Sequence, residues 1–434
     1  MTNFELGQHL LENLILCLMP QTLWLYSRNA FREDFTWTYT GDLETVKWPR
    51  PYRFYHSHIT FNKKIQQISK SLGQIRKVGE TCVTAHSATI QPFMDPKPGA
   101  KPNEDAHTVQ FWEMKTGTWI FAAVFDGHAG PELSALACQE LPAQISRRLG
   151  ILVGNSVNIT RDSVSKVLAE SIQEYDNSLL EKLLRVLPRG FETMSEEELA
   201  TLVNDQDSGG TVYNACIPCM RGSDSQATYV EYPVNAPNEF KTQTLCSPHT
   251  AGAEKGELRS QHPDEPEVAH NGRVLGALSV TRALGDFIFK LPAYYAQKLF
   301  LNVREGFRVP ARVIELLPRN ITPPYVSAVP EVRYRLLRRE TEKGLRTRHA
   351  LVLCSDGLTD LYRGRGWTKE GAVRQIGRTC IKHEGKHWEG LNGNLALHLI
   401  KNALGDNLDE QCKQLFVNLD FQHMDDTTAV VLSW

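Results

Sequence analysis

Three aspartates and one histidine stand out by where they fall. Residues 121–130 read FAAVFDGHAG, an apolar run that stops on Asp126, with His128 two residues on and Gly127 and Gly130 beside them. ALVLCSDG at 350–357 repeats the pattern, ending in Asp356 and Gly357, and Asp425 opens a last apolar segment, DDTTAVVLSW at 425–434. Carboxylates at strand edges, far apart in sequence, are what a site for hard divalent cations requires: oxygen ligands held on rigid elements and converging in space. Glycine after aspartate has no Cβ, so its backbone carbonyl can approach a ligand closely. A histidine beside such a centre can move a proton near neutral pH. Taken singly, each feature also fits a plain turn, because Asp and Gly are frequent where strands reverse.

The surrounding segments must position these groups. A Pro and Gly loop, DPKPGAKPNEDAHTV at 95–109, delivers Asn103, Glu104 and Asp105 to the start of an alternating strand. Helical apolar spacing follows at 131–149, with Pro131 suited to a first turn, and again in a longer amphipathic helix at 161–187. A short third helix is predicted at 195–204, opened by Ser195 as N-cap with acids in its first turn. Beyond SGGTV at 208–212 the pattern turns mostly to short strands and loops. Strands, then a block of helices, then strands again predict an α+β layered domain rather than repeated βαβ units. The run LLENLILCLM at 10–19, interrupted by Glu12, is too short to cross a bilayer and is predicted as an amphipathic helix.

Bulk properties exclude some partners. With 434 residues, 41% hydrophobic and a formal net charge of −2, the chain gives no electrostatic case for nucleic acid or anionic lipid. The nine cysteines are unevenly spaced and odd in number, which favours reduced thiols. Cys216 and Cys219 form one C-x-x-C pair without the second pair that a four-cysteine zinc site needs. From Val46 to Gly79 there are basic residues and no acid, a composition shared by organelle-targeting segments and by solvated basic surfaces. Residues 1–80 therefore read as an N-terminal extension, for targeting or regulation, ahead of a domain spanning 81–434.

Seven motifs occur in order: NEDAHTV, FAAVFDGHAG, SGGTV, RVLGALSVTRALGD, SAVPEV, LVLCSDGLTD and DDTTAVVL. Together they resemble the metal-dependent PP2C-type Ser/Thr protein phosphatases. Three stretches, FDGHAG, RSQHPDEPEVAHNGRVLGALSVTRALGDFIFKLP and TPPYVSAVPEV, look most like the pyruvate dehydrogenase phosphatase-like branch. The resemblance implies a β-sandwich of two antiparallel sheets flanked by α-helices, with the site at one end. It implies two Mg2+ or Mn2+ ions, about 3.5–4 Å apart, sharing a bridging hydroxide as the nucleophile. By motif position, Asp126 would bridge both ions, Gly127 would offer its carbonyl, and Asp356 and Asp425 would hold the other ion. Glu104 and Asp105 would bind metal-coordinated waters, with Glu104 in reach of the metal itself, and His128 would protonate the leaving oxygen. Asp224 and Asp360 match positions that hold a weaker third metal in relatives, against an equal reading as solvated or capping acids. Arg282, Gly285 and Asp286 read as structural support for the cleft. The partners implied are a phosphorylated protein, the pyruvate dehydrogenase complex being a candidate, with no nucleic acid, no transmembrane segment and a monomeric chain. The compartment stays open between mitochondrial matrix and cytoplasm.

Departures from the family pattern frame the rival reading. Where many relatives carry an Arg that grips the substrate phosphate, this chain has Ala100, and adjacent Lys101 offers charge without the bidentate fork of a guanidinium. The stretch at 208–228 is shorter than the family's pair of core strands, Gly-Asp-Ser has become Ser223-Asp224-Ser225, and Asp426 stands where Asn is more usual. A catalytically weak pseudophosphatase that binds phosphoproteins is the alternative. Haloacid dehalogenase-type chemistry lacks its Asp-x-Asp motif here, and no G-x-x-x-x-G-K-[ST] supports a P-loop enzyme.

Overall fold

The structure, a computed structural model, describes residues 14–19, 22–27, 35–39, 52–91, 102–155, 159–204, 219–221, 225–300, 314–337, 346–383, 393–418 and 424–434. The chain divides into two compact units: residues 75–85, 104–356 and 432–434 form one, and 1–74, 86–103 and 357–431 the other. Both are mixed, with antiparallel sheets and helices, which is the α+β class that the sequence pattern predicts.

In the first of these units a hairpin joins β1 (Ala106–Met114) to β2 (Gly117–His128), paired from Met114↔Gly117 through Ala106↔Phe125. The reversal uses Gly117 at φ 114°, a left-handed value that favours glycine. Helices α1 (Glu132–Asn155) and α2 (Arg161–Val186) follow, then α3 (Glu196–Asn204). A three-residue strand, β3 (Cys219–Arg221), pairs with the end of β2 in the register Asp126↔Arg221, Gly127↔Met220 and His128↔Cys219. Strand β4 (Gln226–Pro233) carries β5 (Lys241–Thr244) on one side. The two-residue β6 (Ala283–Leu284) closes the first sheet against β3, in the order β6-β3-β2-β1. On the other side of β4 lies β7 (Thr347–Cys354), paired from Gln226↔Cys354 to Pro233↔Thr347.

The helices are held by a stripe with a spacing of four residues. Leu133, Ala137, Leu141, Ile145 and Leu149 of α1 are buried in one cluster with Tyr175, Leu179 and Leu183 of α2 and with Phe125 of β2. Each fully buried leucine or isoleucine contributes roughly 1.5–3 kcal/mol, so this stripe fixes the end of β2 against the helices. Thr160 and Ser163 close the start of α2 in a capping box. Ser195 caps α3 as predicted, its Oγ accepting from the Glu198 N–H at 3.2 Å while Glu198 Oε2 accepts from the Ser195 N–H at 2.8 Å. Helix α1 runs six residues beyond the predicted end at 149, through Pro142, because its apolar stripe continues to buried Val153.

The other unit holds most of α4 (Asp356–Gly364), then α5 (Lys369–Lys382), α6 (Leu395–Leu404), α7 (Leu408–Leu415) and most of the strand β8 (Thr427–Ser433). These helices correct the expectation of mostly strands and loops beyond residue 212. Their apolar positions do recur at helical spacing, as Ala372, Val373, Ile376 and Cys380 do in α5, but the helices are short. A second correction concerns 10–19: Leu14–Met19 is a strand paired with Thr22–Ser27, with Leu16 opposite Leu25 and Cys17 opposite Trp24. An unbroken apolar run serves a strand as well as a helix, and here the neighbouring strand supplies the backbone partners.

Asn394 ties this unit together. It is 5% exposed, caps α6 through the Leu397 N–H, and donates to the carbonyls of Leu72 at 2.9 Å and Ser87 at 3.0 Å. Asn394→Ala removes a cap and two bonds to carbonyls, and about 2–4 kcal/mol of stability should be lost in denaturant unfolding. Buried His86 titrates low, at about 4, because burial disfavours its charged form and His398 adds repulsion. Its unfolded counterpart takes up a proton near 6.5, so stability is full above that pH and falls as pH drops from there toward about 4. A His86→Gln variant should show a shallower acid limb in that window, measured by pH-dependent unfolding.

Candidate active site

Asp126 is the last residue of the β2 apolar run and is 4% exposed. Its Oδ2 accepts two hydrogen bonds, from the Ser225 hydroxyl at 3.1 Å and from the Asp356 backbone N–H at 3.2 Å. Asp356 is the first residue of α4, where backbone N–H groups have no partner within the helix and the helix dipole favours negative charge. The ends of β2 and β7 thus bring the two sequence-predicted aspartates together at one buried point.

Gly127 has a steric role. A Cβ there would lie 2.1 Å from the Glu104 carbonyl oxygen and 3.0 Å from Ser134 Oγ. The Ser134 hydroxyl donates to that same Glu104 carbonyl, with a second bond to the Pro131 carbonyl at 3.0 Å. So α1 pins the loop carrying Glu104 and Asp105 directly over Gly127. The reversal after it needs Ala129 at φ 63° and Gly130 at φ 141°. The second Asp-Gly pair repeats the device within the other unit: a Cβ on Gly357 would lie 2.1 Å from the Asp426 carbonyl oxygen.

His128 places Nε2 3.6 Å from Asp286 Oδ1, and its side chain is 19% exposed. Its Nδ1 is buried and makes no hydrogen bond with the described residues. In the other unit Asp425 is exposed and its Oδ1 accepts from the Asp426 N–H at 3.0 Å, whereas Asp426 is buried. Asp360 is exposed and pairs with Arg363 at 2.6 Å. Lys101, Asp224 and Cys216 lie outside the described residues, as does most of 208–228. What is described of that shortened stretch is β3, three residues long yet bonded to both β2 and β6.

Two residues of the site, Ser225 and Ser134, have no role in the sequence reading, and a third, Asp286, is read there only as structural support. Ser225 holds Asp126, Ser134 holds the Glu104 loop, and Asp286 faces His128 rather than only supporting the cleft. The SDS triplet was a signal for Ser225. Nothing in PELSAL marked Ser134.

Among the described residues no group of three or more His, Cys, Asp or Glu side chains is gathered as a metal cage. The Asp126 carboxylate, which meets the Asp356 backbone N–H, offers oxygen, the donor class that suits Mg2+ or Mn2+. A thiol nucleophile is disfavoured: burial pushes the neighbouring Cys354 thiol well up, and Cys246, Asp126 and Asp356 push the same way.

Comparison with known proteins sharpens this picture. The family model described as Protein phosphatase 2C matches residues 248–368, which include Asp286 and Asp356. A protein phosphatase 2C homolog of Schizosaccharomyces pombe is 24% identical over 76% of this chain and 77% of its own length. Over these residues the chain is similar to the protein phosphatase 2C family. The chain is also 24% identical to the mitochondrial [pyruvate dehydrogenase [acetyl-transferring]]-phosphatase 1 of Saccharomyces cerevisiae, over 61% of this chain and 47% of that one. The chain thus spans about half the length of that relative. Among solved structures, the S. agalactiae serine/threonine phosphatase aligns over 84% of this chain and 98% of its own, at 13% identity and a TM-score of 0.33.

The steric role of Gly127 can be tested apart from activity. Gly127→Ala must push the Glu104 carbonyl away and break the Ser134 bond. The expected outcome is a loss of about 1–3 kcal/mol in unfolding free energy, with hydrogen exchange faster at residues 102–106.

Proposed function

We propose that the chain is a metal-dependent protein serine/threonine phosphatase that hydrolyses phosphoserine and phosphothreonine on proteins. The observation that carries this reading is the buried junction in which the Asp126 carboxylate and the Asp356 backbone meet. Two divalent ions held there would supply a hydroxide near neutral pH and neutralise charge on the phosphoryl oxygens. Asp126, the Gly127 carbonyl, Asp356 and Asp425 are the residues to hold them, with Glu104 and Asp105 on bound waters. Asp360 and Asp224 are candidates for a weaker third ion, and Lys101 for the substrate phosphate.

The protein groups do the remaining work. His128 gives a proton to the serine or threonine oxygen as it leaves, so that no alkoxide has to depart unprotonated. Ser225 fixes the Asp126 carboxylate in one rotamer, and Ser134 fixes the loop that carries Glu104 and Asp105. The similarity to a mitochondrial pyruvate dehydrogenase phosphatase supports the phosphorylated pyruvate dehydrogenase complex as substrate and the matrix as compartment. Residues 81–434 are assigned to the phosphatase domain, acting as a monomer, with 1–80 as a targeting or regulatory extension.

The shortness of β3 favours one second reading, a pseudophosphatase that keeps the fold as a phosphoprotein-binding module. Assay of purified protein on a phosphothreonine peptide with Mn2+ separates the two. An enzyme should turn over, lose activity on chelation, and lose on the order of 10²-fold or more in kcat in Asp126→Ala and in Asp356→Ala. Folded protein that hydrolyses nothing with Mn2+ or Mg2+ refutes the enzyme.

A further inference from the structure

Asp286, so far placed only beside His128, has unusual surroundings. It is 2% exposed, adopts the left-handed conformation at φ 50°, and follows Gly285, itself left-handed at φ 71°. Asp and Asn tolerate this region better than other residues with a side chain, but two such residues in succession need outside support. That support comes from α2. Asp176, in the middle of the helix, accepts the Gly285 N–H on Oδ1 at 2.8 Å and the Lys290 ammonium on Oδ2 at 2.7 Å. Lys290 turns back to donate to the Ala283 carbonyl at 3.0 Å. Residues 283–290 are thereby closed into a ring around one buried ion pair, whose side chains are 9% and 7% exposed.

The ring faces the histidine. Ala283 and Leu284 pair with Arg221 and Met220 of β3, which in turn pair with Asp126 and Gly127 of β2. Asp286, two residues past this pairing, therefore projects toward the turn after β2, where its Oδ1 stands 3.6 Å from His128 Nε2. A buried carboxylate beside one ring nitrogen fixes the plane of an imidazole and leaves the other nitrogen's direction determined.

We propose that Asp286 is a positioning residue for His128, and that the buried Asp176–Lys290 pair sets the backbone that aims Asp286. The helix α2, remote in sequence from every Asp-Gly motif, thus decides how the histidine is presented. Its catalytic consequence rests on the phosphatase reading, in which His128 protonates the leaving oxygen. Neither Asp176 nor Asp286 touches substrate in this scheme.

The test uses the full chain with three single variants, Asp286→Ala, Asp286→Asn, which keeps the left-handed preference, and Asp176→Asn, which keeps the acceptor for Gly285 but drops the charge opposite Lys290, together with the Asp176→Asn, Asp286→Ala double variant and His128→Gln for signal assignment. Folding is checked by thermal melting. On a phosphothreonine peptide with Mn2+, Asp286→Ala should lose on the order of 10²-fold in kcat with little change in KM. On p-nitrophenyl phosphate, whose phenolate leaves without a proton, the loss should be about tenfold or less. Asp286→Asn should recover part of the difference, and Asp176→Asn should add nothing in the Asp286→Ala background. Equal losses on both substrates, or additive effects, overturn the proposal in favour of a purely structural role. The imidazole 15N signals of His128, assigned by their loss in His128→Gln and recorded without metal, should move in both Asp286→Ala and Asp176→Asn. Unmoved signals overturn the positioning directly. If the unaltered chain hydrolyses neither substrate, the phosphatase reading fails and those signals still decide whether Asp286 orients His128.

Discussion

The site depends on how a buried carboxylate is made tolerable. Asp126 is almost fully shielded, and ionised carboxylates in such places are costly unless hydrogen-bonded or paired with charge. Its two donors come from different parts of the chain, Ser225 at the entrance to β4 and the backbone of Asp356 at the exit from β7. Since β4 and β7 are themselves paired from end to end, the register Gln226↔Cys354 places both donors at the same end of the ladder. A slip of one residue in that register would invert every side chain on the strand and remove the second donor. The long antiparallel ladder is therefore what makes the short polar junction reproducible.

That junction also brings two aspartates close, and like charges repel. The arrangement lowers the cost by presenting to Asp126 the backbone of Asp356 rather than its carboxylate, with the helix N-terminus behind it. Under the phosphatase proposal, the remaining oxygen of Asp126 is the atom that would face a divalent cation. Stability and function pull apart here. The apolar stripe of α1 and α2 supplies the burial energy that allows β2 to end on such a group.

How much of this could be read from the sequence follows from how far each interaction reaches. Asp126, Gly127 and Asp356 were legible because a local pattern, an apolar run ending in Asp-Gly, occurs twice. The capped helix at 195–204 was legible because its signal is contained in four residues. Ser134 was not, since its bond to the Glu104 carbonyl spans 30 residues and a serine in a helix has no local mark of that task. Asp176 is harder still: it sits 109 residues from Gly285 on an amphipathic helix whose polar positions look alike. Leu14–Met19 shows the reverse failure. Its six apolar residues carry no period, and the partner strand, rather than the segment, decides the conformation.

Gly127 shows why motif knowledge and physical reading differ. A glycine after an aspartate suggests room for a ligand, yet the atom that occupies the missing Cβ position is the Glu104 carbonyl oxygen, held there by Ser134. Gly357 meets the carbonyl of Asp426 in the same way. In both cases the glycine lets a second acidic segment lie against the first through its backbone, leaving the side chains of that segment free to turn elsewhere. Alanine at either place would separate the two segments by more than an ångström before any ligand entered. The recurrence of Asp-Gly is thus accounted for by packing between acid-bearing segments within each unit.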